Sequence, residues 1–508
     1  MYWKNSLAFS LREEPGKKPG GTADAAMKHL VIAIIILWAA FHFGGMFFSA
    51  KDRSPDVAFG RLLDAPQRSL QDPYHNGYFY LIGLMAASPL DPGKTGYEIW
   101  VEDTEDGGRG ASHERKATRA DLVFTLSSDT TSSAWEADDP LHAFGKQEAP
   151  FRAAANEYHI LLARYERWLG MPFDDWGFGR KVVPLGKHIL AIHRLYVADG
   201  FSVGTMQGLA RLEKELQSWR TVLREAKTID TKVLAQVLIT DDLQLLSRML
   251  SKPVVDKAIL AMGLQLTLPL STAEYSLRWP VRHQVALAVR EGSTRSRSDL
   301  QQTHQSSNHD WLTEAAHLPI YAFKSIEHPP AHSTMGVFQF GQASHAYAAY
   351  YEAIIMASES HSQYLPRMQE VVGTLDRGRL ESMLTPRPIE PNWEIFHGEL
   401  IETDTRFRLA SLQIQLRRPS SQTAVPTRLA EVGSQYFDPF TGLPMLWSPT
   451  QQKLYSVGKD RLDDGGDPTF DISVPAAVAP TLSKPLRDQR PRTPDADECH
   501  SRLRNASF

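Results

Sequence analysis

The stretch MQGLARLEKELQSWRTVLREAK, Met206 to Lys227, sets the fold class. Leu209, Leu212, Leu216, Trp219 and Leu223 recur at intervals of three and four residues, which lays one apolar seam along a helix. The next stretch, TIDTKVLAQVLITDDLQLLSRML, has the same character through Leu234, Leu238, Leu245, Leu246 and Met249. Two such helices joined by a short polar turn predict a helical hairpin. Working outward, further helices are expected around Ala154 to Leu169, Leu185 to Ala198, Val254 to Leu266, Tyr275 to Arg290, His345 to Ala357 and Asp404 to Arg417. Between Arg53 and Leu400 no repeated β alternation with hairpin turns appears, so this part reads as all-α. The polar stretches EDTEDGGRGASHERKATRA, GSTRSRSDLQQTHQSSNHD and EHPPAHSTMG read as loops or inserts.

A chain of 508 residues can bury a large core without disulfides or metals. Lys plus Arg number 55 against 59 Asp plus Glu, and no basic stripe with interleaved aromatics is present, which argues against nucleic acid as a partner. The single cysteine, Cys499, excludes an intramolecular disulfide and a cysteine-based metal site.

Near the N-terminus, Leu30 to Ala50 carries no full charge and is interrupted only by His42, a length that suits one membrane-spanning helix. A small-x-small cleavage site is poor there, because Phe48 occupies the minus-three position, so an uncleaved anchor is expected rather than a signal peptide. Arg12, Lys17, Lys18 and Lys28 before the anchor balance Lys51, Arg53, Arg61 and Arg68 after it, and the positive-inside rule is tied. A start at Met27 would leave a very short tail before the anchor, the layout of a signal anchor that sends the C-terminal bulk out of the cytoplasm.

Several stretches imitate catalytic motifs. GFSVG, Gly200 to Gly204, fits the nucleophile elbow, with Ser202 as the nucleophile of an extracytoplasmic hydrolase. Upstream, however, LGKHILAIHRLYVADG reads as a helix rather than a buried strand, and a helix-loop-helix with Ser202 or Thr205 as cap explains the same residues. His188 and His193 are five residues apart and do not share a helix face. Glu314 and His317 form a lone E-x-x-H without the second set that a di-iron bundle needs, so neither pair is expected to ligate a metal. Tyr165, Trp168, Phe173, Trp176 and Phe178, and again His345, Tyr347, Tyr350 and Tyr351, read as packing residues.

The segment FDPFTGLPMLWSPTQQKLYSVGKDRLDDGGDPTFDI, Phe437 to Ile472, departs from the helical pattern. Asp438-Pro439 and Thr441-Gly442 make a turn, LPMLW a strand, SPTQQ a loop and KLYSVG a second strand, which together predict a small β-hairpin. Asp460, Asp463, Asp464, Asp467 and Asp471 then crowd a glycine-containing loop. Such a loop suits a hard cation, but its spacing is not that of an EF-hand, and a solvated acidic loop fits the same residues.

In order, DPFTGLP, LYSVGKD, GG and DI resemble the C-terminal β region of the major pseudopilins of type II secretion. The likeness covers Asp404 to Val474, including VPTRLAEV ahead of Asp438. It implies a calcium site with Asp460 and Asp467 as carboxylate ligands, the Val457 carbonyl as backbone ligand, and Asp464 and Asp471 as neighbours. The N-terminal AFSLRE, followed by polar EPGKKPGG, departs from the pseudopilin peptidase signal, and the long helical body makes assembly as a pilus subunit improbable.

The expected architecture is therefore mainly α: a tail over 1–29, a transmembrane anchor over 30–50, a helical domain over 54–400, a pseudopilin-like α+β module over 404–474 and a disordered tail over 475–508. The expected role is that of a bacterial inner-membrane protein with its bulk in the periplasm, a scaffold or interaction protein for an envelope partner. The alternative is the Ser202 hydrolase.

Overall fold

A computed structural model describes residues 57–105, 133–180, 186–295, 340–360, 392–418 and 424–478. The anchor stretch, the Glu314 and His317 pair and the tail beyond residue 478 lie outside them. No helix among the described residues is long and apolar enough to cross a membrane.

Helices dominate. They are α1 (Val57–Leu63), α2 (Gly77–Ile82), α3 (Pro92–Glu105), α4 (Pro140–Lys146), α5 (Glu148–Glu157), α6 (His159–Trp168), α7 (Gly186–Val203), α8 (Thr205–Glu225), α9 (Ile229–Leu250), α10 (Lys257–Leu266), α11 (Thr272–Tyr275), α12 (Arg278–Arg295), α13 (Phe340–Ser358), α14 (Trp393–Gln415) and α15 (Val425–Glu431). Strands β1 (Leu446–Ser448), β2 (Lys453–Ser456) and β3 (Ile472–Pro475) follow.

The centre is the run α7, α8 and α9. Each packs on its neighbour because the connections are short: Gly204 alone between α7 and α8, and Ala226 to Thr228 between α8 and α9. The seam read from the sequence is the inner face of α8, with Leu209, Leu212, Leu216, Trp219 and Leu223 all buried. Thr228 starts α9 as an N-cap, its side chain accepting from Thr231 N. The α7–α8 crossing is tight at Gly208, where a Cβ would lie 2.2 Å from the Phe201 ring.

The expected helix at Ala154 to Leu169 is two helices, because the backbone leaves the helical region at Tyr158 (φ −100°, ψ 23°). The loop after α6 holds the chain together from within. Asp174 Oδ2 accepts from Ser69 N (2.8 Å) and Leu70 N (3.1 Å), while Asp175 Oδ2 accepts from Lys227 N (2.8 Å) and Thr228 N (3.2 Å). The aromatic residues here are core: Tyr165, Trp168, Phe173 and Trp176 are buried, with the Trp168 and Trp219 rings 4.6 Å apart. Tyr350 and Tyr351 on α13 are likewise buried.

The C-terminal module is a three-stranded antiparallel sheet of order β1-β2-β3. The expected hairpin is present, with Leu446 opposite Tyr455. Its third strand pairs Leu454 with Val474 and Ser456 with Ile472. Helix α14 begins at Trp393, not at Asp404, and runs unbroken across the point where the sequence suggested a boundary. It packs against α9 and α10 on the body side and against β2 and β3 on the module side, so residues of both parts share one hydrophobic core. Polar contacts repeat the theme. Gln413 Nε2 donates to Ser247 O of α9 (3.2 Å) and to Pro475 O of β3 (2.6 Å). Lys459, beside the acidic loop, pairs with Glu399 and, at 3.3 Å, with Glu402 of α14.

Candidate functional site

In the acidic loop, Asp460, Asp463, Asp464 and Asp467 are exposed, whereas Asp471 and Val457 are buried. Local backbone shapes the loop: Gly458 (φ 68°), Gly465 (φ 72°) and Gly466 (φ 86°) occupy the left-handed region open to glycine, and Arg461 joins them at φ 60°. The aspartates accept from nearby backbone N–H groups, Asp460 from Leu462, Asp463 from Gly465, Asp467 from Thr469 and Asp471 from Gly466. Asp471 Oδ1 has no hydrogen-bond partner although it is buried. Burial, then the nearby Asp464 and Asp463 charges, raise the Asp471 carboxyl above its ordinary value. Asp438 closes the turn before β1 by accepting from Phe440 N (2.9 Å) and Val457 N (3.3 Å).

A second acidic centre lies deep in the helical body, and the sequence reading missed it. His193 on α7 and Glu215 on α8 stand eleven residues either side of Gly204, so the α7–α8 turn brings them face to face. Asp241 and Asp242 reach the same place from α9. All four residues are at most 1% exposed. His193 Nδ1 lies 3.2 Å from Glu215 Oε2, and Nε2 lies 3.4 Å from Asp242 Oδ1 and 3.7 Å from Asp241 Oδ2. None of these approaches has hydrogen-bonding geometry, and both ring nitrogens, Glu215 Oε1 and both Asp242 oxygens lack a hydrogen-bond partner.

The remaining atoms are well held. Glu215 Oε2 accepts from the Tyr165 hydroxyl and from Trp219 Nε1, each at 2.9 Å. Arg194 grips Asp241 with two hydrogen bonds, both 2.7 Å. Burial alone would lower the His193 pKa, but the Asp242, Glu215 and Asp241 carboxylates outweigh it and hold it at about 9. Burial, opposed by His193 and reinforced by the like charges of Glu215 and Asp241, pushes Asp242 well above the ordinary carboxylate range. Among the described residues, His193, Glu215 and Asp242 form the trio whose possible ligand atoms all lie within 4.8 Å of one another. The loop aspartates do not form a second such group. The sequence expectation that His193 is not a ligand candidate considered only its own helix, and the partners come from two others.

Ser202 lies inside α7, and its hydroxyl donates to the Asp199 carbonyl at 2.8 Å. The helix-loop-helix reading of GFSVG is the observed one, although the residue capping α8 is Gly204, not Ser202 or Thr205. The strand entry that an elbow requires is absent from this segment. Comparison of the chain with protein-family profiles, curated proteins and solved structures found no match.

Proposed function

We propose that the chain is a single-pass bacterial inner-membrane protein, anchored by residues 30–50, whose periplasmic body and C-terminal module serve as a scaffold for an envelope partner. In this reading the module is pseudopilin-like and calcium orders its acidic loop through Asp460, Asp467 and the Val457 carbonyl, with Asp464 and Asp471 alongside. The observation that carries it is the asymmetry of the module. Its inner side is fixed to α14 through Lys459 and Gln413, while Leu462 (64% exposed) and Phe470 (59% exposed) stand out of the acidic loop into solvent. Fixing one side and presenting apolar side chains on the other suits docking rather than chemistry.

Calcium has a physical case of its own. Carboxylates crowded into one short loop repel one another, and a hard divalent ion converts that repulsion into ligation. The buried, unpartnered Asp471 Oδ1 is an acceptor that such an ion would satisfy. An ion that binds the folded form alone stabilises it by roughly 2.7 kcal/mol at about a hundredfold its dissociation constant.

The test is photo-crosslinking in native membranes from a reactive residue placed at Phe470, with and without calcium chelator. A discrete crosslinked partner, weakened by chelator, is expected. Crosslinking from Phe470 no greater than from the exposed Val254 of the body would overturn the docking role. Protease added to spheroplasts should digest the body, and full protection would overturn the orientation.

A further inference from the structure

We propose that His193, Glu215 and Asp242 bind one divalent first-row transition metal ion that joins α7, α8 and α9. The inference is independent of the docking role and of the calcium loop.

Charge balance within the core points this way. Arg194 neutralises Asp241 through its paired hydrogen bonds. Two further carboxylates, Glu215 and Asp242, then share a fully buried space with one imidazole. Uncompensated buried charge is costly, and a buried carboxylate oxygen without a donor adds to the cost. Protons on His193 and on one carboxylate could meet the same balance, but they leave the ring nitrogens and carboxylate oxygens without hydrogen-bond partners. A dication facing two carboxylates and a neutral imidazole gives both zero net charge and a partner for those atoms.

Geometry agrees. Metal–ligand bonds to nitrogen and oxygen of about 2.0–2.2 Å set three ligand atoms around one ion about 3.4–3.8 Å apart. Atoms already within 4.8 Å of one another need close by about 1 Å at the widest pair, a shift within reach of side-chain rotation. The open atoms are the right ones: Glu215 Oε1, the Asp242 oxygens and the imidazole nitrogens lack hydrogen-bond partners. Meanwhile Glu215 Oε2 is already fixed by Tyr165 and Trp219, which is how ligating carboxylates are aimed by a surrounding shell of donors. One imidazole with two carboxylates and no thiolate suits Zn2+, Mn2+ or Fe2+ rather than Cu+. Because the centre is enclosed among helices, the ion would act as a structural clasp.

The experiment uses the full chain in detergent, stripped with chelator, held at constant calcium and then given Zn2+, Mn2+ or Fe2+ singly. One equivalent of at least one of these metals should survive gel filtration, and its binding should raise the melting temperature. Glu215→Gln and Asp242→Asn should abolish retention. Tyr165→Phe, which leaves all three ligands but frees Glu215 Oε2 of one donor, should weaken affinity about 10- to 100-fold. Asp467→Asn in the loop should leave transition-metal retention unchanged, which separates this site from the calcium reading. The wild-type protein decides the matter even if a variant fails to fold. If the folded wild type retains none of the three metals and melts identically with each of them and with chelator, the proposal is overturned and the cluster is a metal-free ionic network.

Discussion

Asp404 and Arg408 stand one turn apart on α14, and together they tie the helical body to the module. Arg408 Nε donates to Asp404 Oδ2 at 2.6 Å, Asp404 Oδ1 accepts from Leu270 N of the body at 2.6 Å, and Arg408 Nη1 donates to Phe437 O of the module at 2.7 Å. Both side chains are nearly enclosed, Asp404 completely. Removing one partner of a buried pair strands the other, at about 3–5 kcal/mol. Arg408→Ala should therefore lower unfolding stability by about that amount in urea titrations. A loss within 0.5 kcal/mol would show that the pair is not structural.

The α2–α3 contact is a backbone contact. A Cβ at Gly96 would lie 1.8 Å from Phe79 O, and one at Gly83 would lie 2.0 Å from Pro92 O. Backbone cannot give way as a flexible side chain can, so Gly96→Ala must drive the helices apart. The expected loss is about 3 kcal/mol or more, read as a fall in melting temperature. A variant that melts with the wild type would refute the close approach.

Lys232 on α9 is fully buried, its Nζ donating to Leu223 O at 3.0 Å in the last turn of α8. Burial, partly offset by Glu274, lowers its pKa from 10.5 to about 7. For a base with a depressed folded pKa the unfolded chain binds more protons between the two values, so stability rises with pH from about 7 towards 10.5. The handicap is full below pH 7 and corresponds to something of order 5 kcal/mol. Lys232→Met should stabilise the protein at pH 6 by about 4 kcal/mol, after about 1 kcal/mol for the lost hydrogen bond. That advantage should vanish by pH 10, and a gain that is flat with pH would refute the account.

Ser202→Ala should change stability by no more than about 0.5 kcal/mol, because the hydroxyl only returns to its own helix. A serine-reactive probe should label wild type and variant alike. Labelling lost in the variant would revive the hydrolase reading.

The periodic parts of this fold were legible in the sequence. The Leu209 to Leu223 seam was, because a period near 3.6 is a local signal, and the hairpin at Leu446 and Lys453 was, because turn chemistry marks its ends. The third strand was not, since Ile472 pairs with a residue across the whole acidic loop. The buried cluster was hidden for a related reason: His193, Glu215 and Asp242 belong to three helices. Two local cues did exist. Glu215 sits on the same face as Leu212, Leu216 and Trp219, and Asp241-Asp242 fall between the largely apolar runs Val233 to Ile239 and Leu243 to Leu246 of α9. A carboxylate on a core-facing position needs a partner, and asking for one would have led to His193.

Helix α14 carries a practical consequence for anyone who moves this module between proteins. A fragment cut at Asp404 severs the helix in mid-course and bares Leu400 and Ile401 on one piece and Phe407, Leu409 and Leu412 on the other, all buried in the intact chain. The β-sheet is therefore not a portable cartridge. A recipient must also accept Trp393–Gln415 and offer a groove for its second face, as α9 and α10 do here.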